Sequence, residues 1–438
     1  MTTAHWTEKI LWVYILLIPF SEKAGFILLG KRIGWLDIVA LLPIAFAGVN
    51  LILRKKKTLP KDILRALFFM PALSAFSFIN SVNLKLSLIE LSGLIYVIVF
   101  FAALSAIITS RESLLRCLRV YFFTAFGLSL IGICAFSLSL YTGNLTHNQF
   151  LNFSQIEAMA HHFPRIKLWY ESPNMLLAYL HIAFIFGVFL SLNARDKKNR
   201  LMYVSCLIVI LTAAFLTGSR RFTGLLLSAF LIFSWTGKSR VLALAKNVSL
   251  AGCVIFLIVS VITSVWVVFP IKFIKNNGPM AFKITDTYSL HFIQPVASIN
   301  MFKAHPLIGV GLGTYTLNFK NYIDWNWLRT SFGFEAYPHY IRPVEERTLS
   351  FDPHSLYLGA LAETGIAGFL GIIYFIFIYA RALKKKLSKA LTQKFFYSCV
   401  LAGFLGFLLN GLTLDILTMR HFWLMLGLGL APSGEKTG

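Results

Sequence analysis

Apolar runs of membrane-spanning length recur along the whole chain, separated by polar links, and about twelve can be laid out at the usual ~20 residues each. The first begins near Lys9 and is interrupted by Ser21, Glu22 and Lys23. It carries no small-residue cleavage site and many spans follow, so it reads as retained rather than as a removed signal peptide. The second ends at Arg54-Lys55-Lys56-Lys57, and spans three and four bracket the polar turn Asn80-Ser81-Val82-Asn83. Span six (Met175–Leu192) is capped by Glu171-Ser172-Pro173-Asn174, and span seven ends at Thr217-Gly218-Ser219-Arg220-Arg221. Span nine, about Leu250–Val268 at spanning length, opens into a long polar stretch from Phe269 to Asp352. Span ten starts at His354, and spans eleven and twelve turn around Asn410, Asp415 and Arg420. The pattern predicts an all-α, polytopic helical membrane protein: one transmembrane domain, 1–438, with a loop over 269–353 inserted between spans nine and ten. No internal repeat, phosphate-cradling glycine loop or coiled coil is visible, and the tail after Pro432 reads as a short disordered end.

Composition agrees: mean hydropathy is +0.71, with 57% hydrophobic and 13% charged residues. A water-soluble chain of this length needs far more polar surface. The net charge of +23 could suggest nucleic acid, but Lys and Arg cluster in alternate short links, as topology alone requires. Nucleic acid is therefore not expected as a partner. The same bias puts both termini in the cytoplasm and the long loop, Tyr141–Pro173 and the Arg220 turn on the outer side. Cys117, Cys134, Cys206, Cys253 and Cys399 are scattered singly, a spacing that fits neither a disulfide framework nor a metal site.

The outward links carry the candidate chemistry. In Thr348–Gly371, Asp352 can cap a helix and Pro353 suits its first turn, which predicts His354 at the second helical position. Unpaired amides and the positive end of the helix dipole would keep that imidazole neutral, a base facing an anion-friendly surface. The other reading is a histidine that merely sits at a helix entrance near the interface. Gly365, Gly368 and Gly371 predict a smooth face for close helix packing. Glu363 lies nine residues beyond His354, roughly 13 Å deeper and on the opposite helix face, and is expected to bond a neighbouring span.

Arg220 and Arg221 are a basic pair on the side where the charge rule expects none. A guanidinium fork matches phosphate oxygens, so the pair reads as a site for a lipid-linked phosphate, or else as contacts to lipid headgroups. Arg165 and Lys167 read equally as substrate contacts or as interface anchors beside Trp169 and Tyr170. In the long loop, Gly309, Gly311 and Gly313 allow tight folding. Beyond them Trp325, Trp327, Phe332, Phe334, Tyr337 and Tyr340 are either sugar-stacking or interface residues. Arg342 and Arg347 either bind an anion or pair with Glu345 and Glu346.

These pieces, in this order, resemble the O-antigen ligase and O-antigen polymerase superfamily of bacterial envelope glycosyltransferases. The matching patterns are Arg165 with Glu171-Ser172-Pro173-Asn174, T-G-S-R-R at 217–221, H-P-L-I-G-V-G-L-G from His305, and H-x8-E-x-G-x-x-G from His354. The resemblance implies a metal-independent, cofactor-free glycosyltransferase in the bacterial inner membrane. Its donor would be an undecaprenyl-diphosphate-linked glycan, used at the periplasmic face, and its acceptor lipid A–core or another glycan. By that likeness Arg220 holds the donor diphosphate and His354 activates the acceptor hydroxyl. A family arginine about 14 residues before the H-P pair is replaced here by His291. Arg221, Arg342 or Arg347 would then supply the second diphosphate ligand. An O-antigen ligase is the first reading, an O-antigen or exopolysaccharide polymerase the alternative. A secondary transporter is the reading outside this class, and it lacks the paired broken helices such proteins show in sequence.

Overall fold

The computed structural model describes residues 3–20, 25–28, 31–54, 59–143, 150–156, 161–236, 242–258, 286–324, 353–389 and 393–431. In the order met along the chain, the helices are α1 (Thr3–Leu17), α2 (Trp35–Arg54), α3 (Lys61–Ala75), α4 (Leu84–Ile107), α5 (Arg111–Thr142) and α6 (Pro173–Asn193). There follow α7 (Lys197–Leu216), α8 (Phe222–Thr236) and α9 (Leu242–Ile258). After these come α10 (Asp286–Ala304), α11 (Tyr315–Asn318), α12 (Leu356–Lys389), α13 (Lys394–Asn410) and α14 (Arg420–Leu430). Two small antiparallel hairpins, β1–β2 (Gly25–Leu28, Lys31–Gly34) and β3–β4 (Leu151–Ile156, His161–Ile166), interrupt the helical pattern. The architecture is that of an all-α membrane protein. Six helical stretches are long and apolar enough to cross a membrane, and four shorter apolar helices accompany them among the described residues. The ninth expected span, 250–268, appears as α9, which begins at Leu242; its continuation beyond Ile258 lies outside the described residues.

α6 is the central post. Its apolar window is 89% buried inside the protein, against 28% for α4 and α7, so its neighbours and not lipid cover it. It packs on α5, α7 and α13, and Ser172 caps it by accepting from the Met175 amide at 3.4 Å, as its sequence predicts. α13 approaches α8 so closely that a side chain at Gly224 or Gly406 would strike the other helix, the small-residue packing that membranes favour.

The links sort to two ends of the bundle. At one end Arg111 donates to Asn193 (3.4 Å), Arg116 approaches Glu8 (3.9 Å) and Lys386 donates to the carbonyls of Leu430 (2.7 Å) and Ala431 (3.0 Å). At the other end the plainer links interlock. There Arg420 forms a two-pronged pair with Asp37, both bonds at 2.6 Å, joining the starts of α2 and α14. Alternation of basic and non-basic links thus became alternation in space.

α12 departs from the expected single span. Gly365 breaks it with φ 60° and ψ −163°, leaving a short half, Leu356–Thr364, that is angled to the rest. The segment Pro306–Gly311 fills the break. Val310 and Gly311 donate their amides to the carbonyls of Ala362 and Glu363 (both 3.0 Å), while Pro306 and Leu307 accept from Ile366 (2.9 Å) and Ala367 (3.1 Å). Glu363 therefore bonds the inserted segment, not a neighbouring span as expected: its Oε1 accepts from the Tyr315 amide at 3.0 Å. The expected smooth glycine face is likewise divided, because Gly365 makes the break and Gly371 alone of the trio lies against α3, 3.1 Å from Met70 Cα for an added Cβ. The same segment rests on the α3–α4 link. Asn80 donates to Gly309 (2.9 Å), Ser77 accepts from the Leu312 amide (3.0 Å) and Ser87 donates to its carbonyl (2.7 Å). Ala297, Met301, Val310, Tyr315, Phe319, Ile323 and Ala362 form a small second core beneath.

A methyl group at Gly365 would lie 2.6 Å from the Leu307 carbonyl oxygen on a backbone with positive φ. Gly365→Ala is expected to lower the thermal midpoint in detergent, with strain alone contributing about 1–2 kcal/mol. Gly93→Ala, where nothing lies within 4 Å, is the control and should be neutral or better.

Candidate functional site

Three arginines meet at the turn between α7 and α8. Thr217 and Ser219 shape it: the Thr217 hydroxyl accepts from the Ser219 amide and the Ser219 hydroxyl from the Arg221 amide, both at 3.3 Å. Ser219 also donates to Asn174 at 2.6 Å, fastening the turn to the capped start of α6. Arg165 reaches in from β4 and donates its Nε to the Thr217 carbonyl at 2.8 Å. Its chain lies over Gly218 (φ 58°), where an added Cβ would come 3.2 Å from that Nε. Beyond β4 the backbone bends sharply at Leu168 (φ 53°), held by Phe150, whose carbonyl accepts the Lys167 and Leu168 amides at 2.9 Å each.

The two arginines of the pair differ. Arg221 is buried at 8% exposure and donates from Nε to Thr413 Oγ1 at 3.2 Å and from its terminal nitrogen to the Thr413 carbonyl. Burial, with the charges of Arg165 and Arg220 adding to it, pushes its pKa down to about 9, so the group stays cationic at neutral pH. Arg220 is half-buried, and its carbonyl accepts from the Thr223 hydroxyl at 2.8 Å. Sequence reasoning did not anticipate the Thr413 anchor, since nothing marks a threonine in an apolar link as an arginine's partner 192 residues away.

His354 stands just ahead of α12, not at its second helical position. The helix begins at Leu356, and Ser355 is the cap, its hydroxyl accepting from the Leu358 amide at 3.3 Å. The Leu356 amide is taken by the carbonyls of Gly411 (2.9 Å) and Leu414 (3.2 Å), so the first turn offers fewer open amides than its sequence suggests. His354 itself is half-buried with φ 47°. A non-glycine residue there costs ~1–3 kcal/mol and persists only where its surroundings fix it. Leu168 and His354 are the positive-φ non-glycines among the described residues, and they lie in the two links that carry the candidate chemistry.

One turn serves both groups. Residues 411–414, between α13 and α14, accept Arg221 through Thr413 and the start of the His354 helix through Gly411 and Leu414. The start of the His354 helix and Arg221 therefore share a four-residue support at one end of the bundle. Of the other candidates, His291 lies in α10 with its side chain outside the described residues, and Arg342 and Arg347 also lie outside them.

Arg221→Ala is expected to destabilise the protein by about 1.5–3 kcal/mol, because the charge-assisted bonds from Arg221 to Thr413 are lost. Arg221→Lys should restore only part, since an ammonium cannot reproduce a two-pronged fork. Thermal unfolding in detergent reads both, and an unchanged Arg221→Ala midpoint would remove the anchoring role.

Residues 205–373, from α7 through the Gly365 break, match the family model described as O-Antigen ligase. No curated protein matches the chain. Members of that family are glycosyltransferase-like enzymes of ligase or polymerase type. The match contains the T-G-S-R-R turn, the H-P-L-I-G-V-G-L-G segment and the start of the His354 helix, so this part of the chain is similar to the O-antigen ligase family.

Proposed function

We propose that the chain is an O-antigen ligase-type glycosyltransferase of the bacterial inner membrane. In this reading it moves a glycan from undecaprenyl diphosphate to a hydroxyl of lipid A–core at the periplasmic face, without a metal. The observation that carries the reading is the meeting of Arg165, Arg220 and Arg221 at one turn that shares its support with the His354 helix. Three cations drawn together repel one another, and a bound diphosphate would relieve that repulsion.

The chemistry assigned to these groups is simple. His354 takes the proton of the acceptor hydroxyl as its oxygen bonds to the anomeric carbon. The bond from that carbon to the diphosphate oxygen breaks, and Arg220, with Arg165 beside it, stabilises the charge on the leaving group. Arg221, bound to Thr413, holds the turn and adds field, with Arg342 and Arg347 as further candidate ligands. The proton leaves His354 for water when undecaprenyl diphosphate departs.

Two measurements test this. His354→Ala and Arg220→Ala should each accumulate normally and lose glycan transfer by at least ~100-fold, the usual effect of removing a base or a fixed charge stabiliser. Inorganic pyrophosphate should raise the thermal midpoint of the parent protein and not that of Arg220→Ala, by about 2.7 kcal/mol at 100 times Kd. Full transfer in both variants would end the proposal. Deleting the gene and running envelope polysaccharide on a gel separates the two activities: lipid-linked polymer with none on lipid A marks the ligase, core bearing one repeat the polymerase.

A further inference from the structure

We infer that Glu363 is a positioning residue, through which the docked segment Pro306–Tyr315 sets where the His354 half of α12 points; the inference rests on the catalytic reading of His354 given above. The half-helix Leu356–Thr364 has two supports. Its start hangs on the Gly411–Leu414 turn through the Leu356 amide and on Leu408 through the Tyr357 hydroxyl (2.8 Å). Its end is held by Ala362 in the second core and by bonds across the break at Gly365. There the Ala362 and Glu363 carbonyls accept Val310 and Gly311, and the Glu363 carboxylate accepts the Tyr315 amide. An unbroken helix would give those carbonyls to its own next turn and fix the half rigidly to the rest of α12. With the break, the inserted segment does that work.

The fit is too close to be incidental. A Cβ on Gly309 would collide with the Glu363 backbone, and one on Gly311 would come 2.7 Å from Ser81 Cα. The segment is therefore wedged between the α3–α4 link and the half-helix, and any shift of it must be passed on or resisted at Glu363. The carboxylate reaches past the backbone ladder to the start of α11, so it ties the half-helix to the second core around Tyr315 and Phe319. A displacement of about 1 Å at a catalytic group can cost on the order of 100-fold in rate.

The test compares Glu363→Ala with Glu363→Gln, whose side-chain oxygen still accepts the Tyr315 amide. Glu363→Ala should lower kcat for glycan transfer about 10- to 100-fold with KM for the lipid-linked donor unchanged, and Glu363→Gln should return it to near the parent value. Hydrogen exchange over 356–364 should quicken in Glu363→Ala alone. If Glu363→Ala does not accumulate, Tyr315→Pro removes the donor amide and should show the same kcat and exchange effects. Unchanged kcat and exchange in the alanine variant overturn the inference, as does a glutamine variant as impaired as alanine. The exchange readout needs no turnover, so it fails separately from the loss of transfer in His354→Ala that tests the activity.

Discussion

Backbone amides and carbonyls inside a membrane protein must find partners within the protein, and the break at Gly365 exposes two of each. The packing around α12 answers that demand. The carbonyls of Ala362 and Glu363 lose their helical donors, the amides of Ile366 and Ala367 lose their helical acceptors, and one stretch of six residues, Pro306 to Gly311, supplies these four bonds. To do so it must run closely alongside the helix, which is why glycines stand at 309 and 311 with positive φ. Its own remaining polar groups are in turn met by Asn80, Ser77 and Ser87. A loop that would otherwise be an appendage becomes part of the helical framework.

The electrostatic side has a similar logic. Of the three guanidinium groups at the α7–α8 turn, Arg221 is held by a threonine and Arg165 by a backbone carbonyl. Neutral acceptors thus orient two of these cations. Where neutralisation serves structure alone, at Arg420, the chain uses a carboxylate.

Much of this was legible in the residues. Long apolar runs gave the helices, the alternation of basic links gave the two ends, and Ser172-Pro173 gave the start of α6. The grouping of Arg220, Arg221 and Arg165 on one end followed from the same rule. What escaped depends on tertiary partners. Gly365 in an apolar helix reads as a packing glycine, and only the presence of Leu307 and Ile308 against it turns it into a break. Asp352-Pro353 offered a plausible cap, yet Ser355 took that role once Leu356 found Gly411 and Leu414. The β3–β4 hairpin was missed because its alternation, Leu151 and Phe153 facing Ile166 and Pro164, is short and lies between helical patterns.

The Asp37–Arg420 pair spans 383 positions of the chain. A ribosome feeding the membrane releases Asp37 long before Arg420 exists, so until α14 arrives that carboxylate has its own neighbours, among them the Gly34 amide (3.0 Å), and not its guanidinium. The contact between the starts of α2 and α14 therefore forms only when α14 arrives. Every step of biogenesis before that has to tolerate an open seam between α2 and α14.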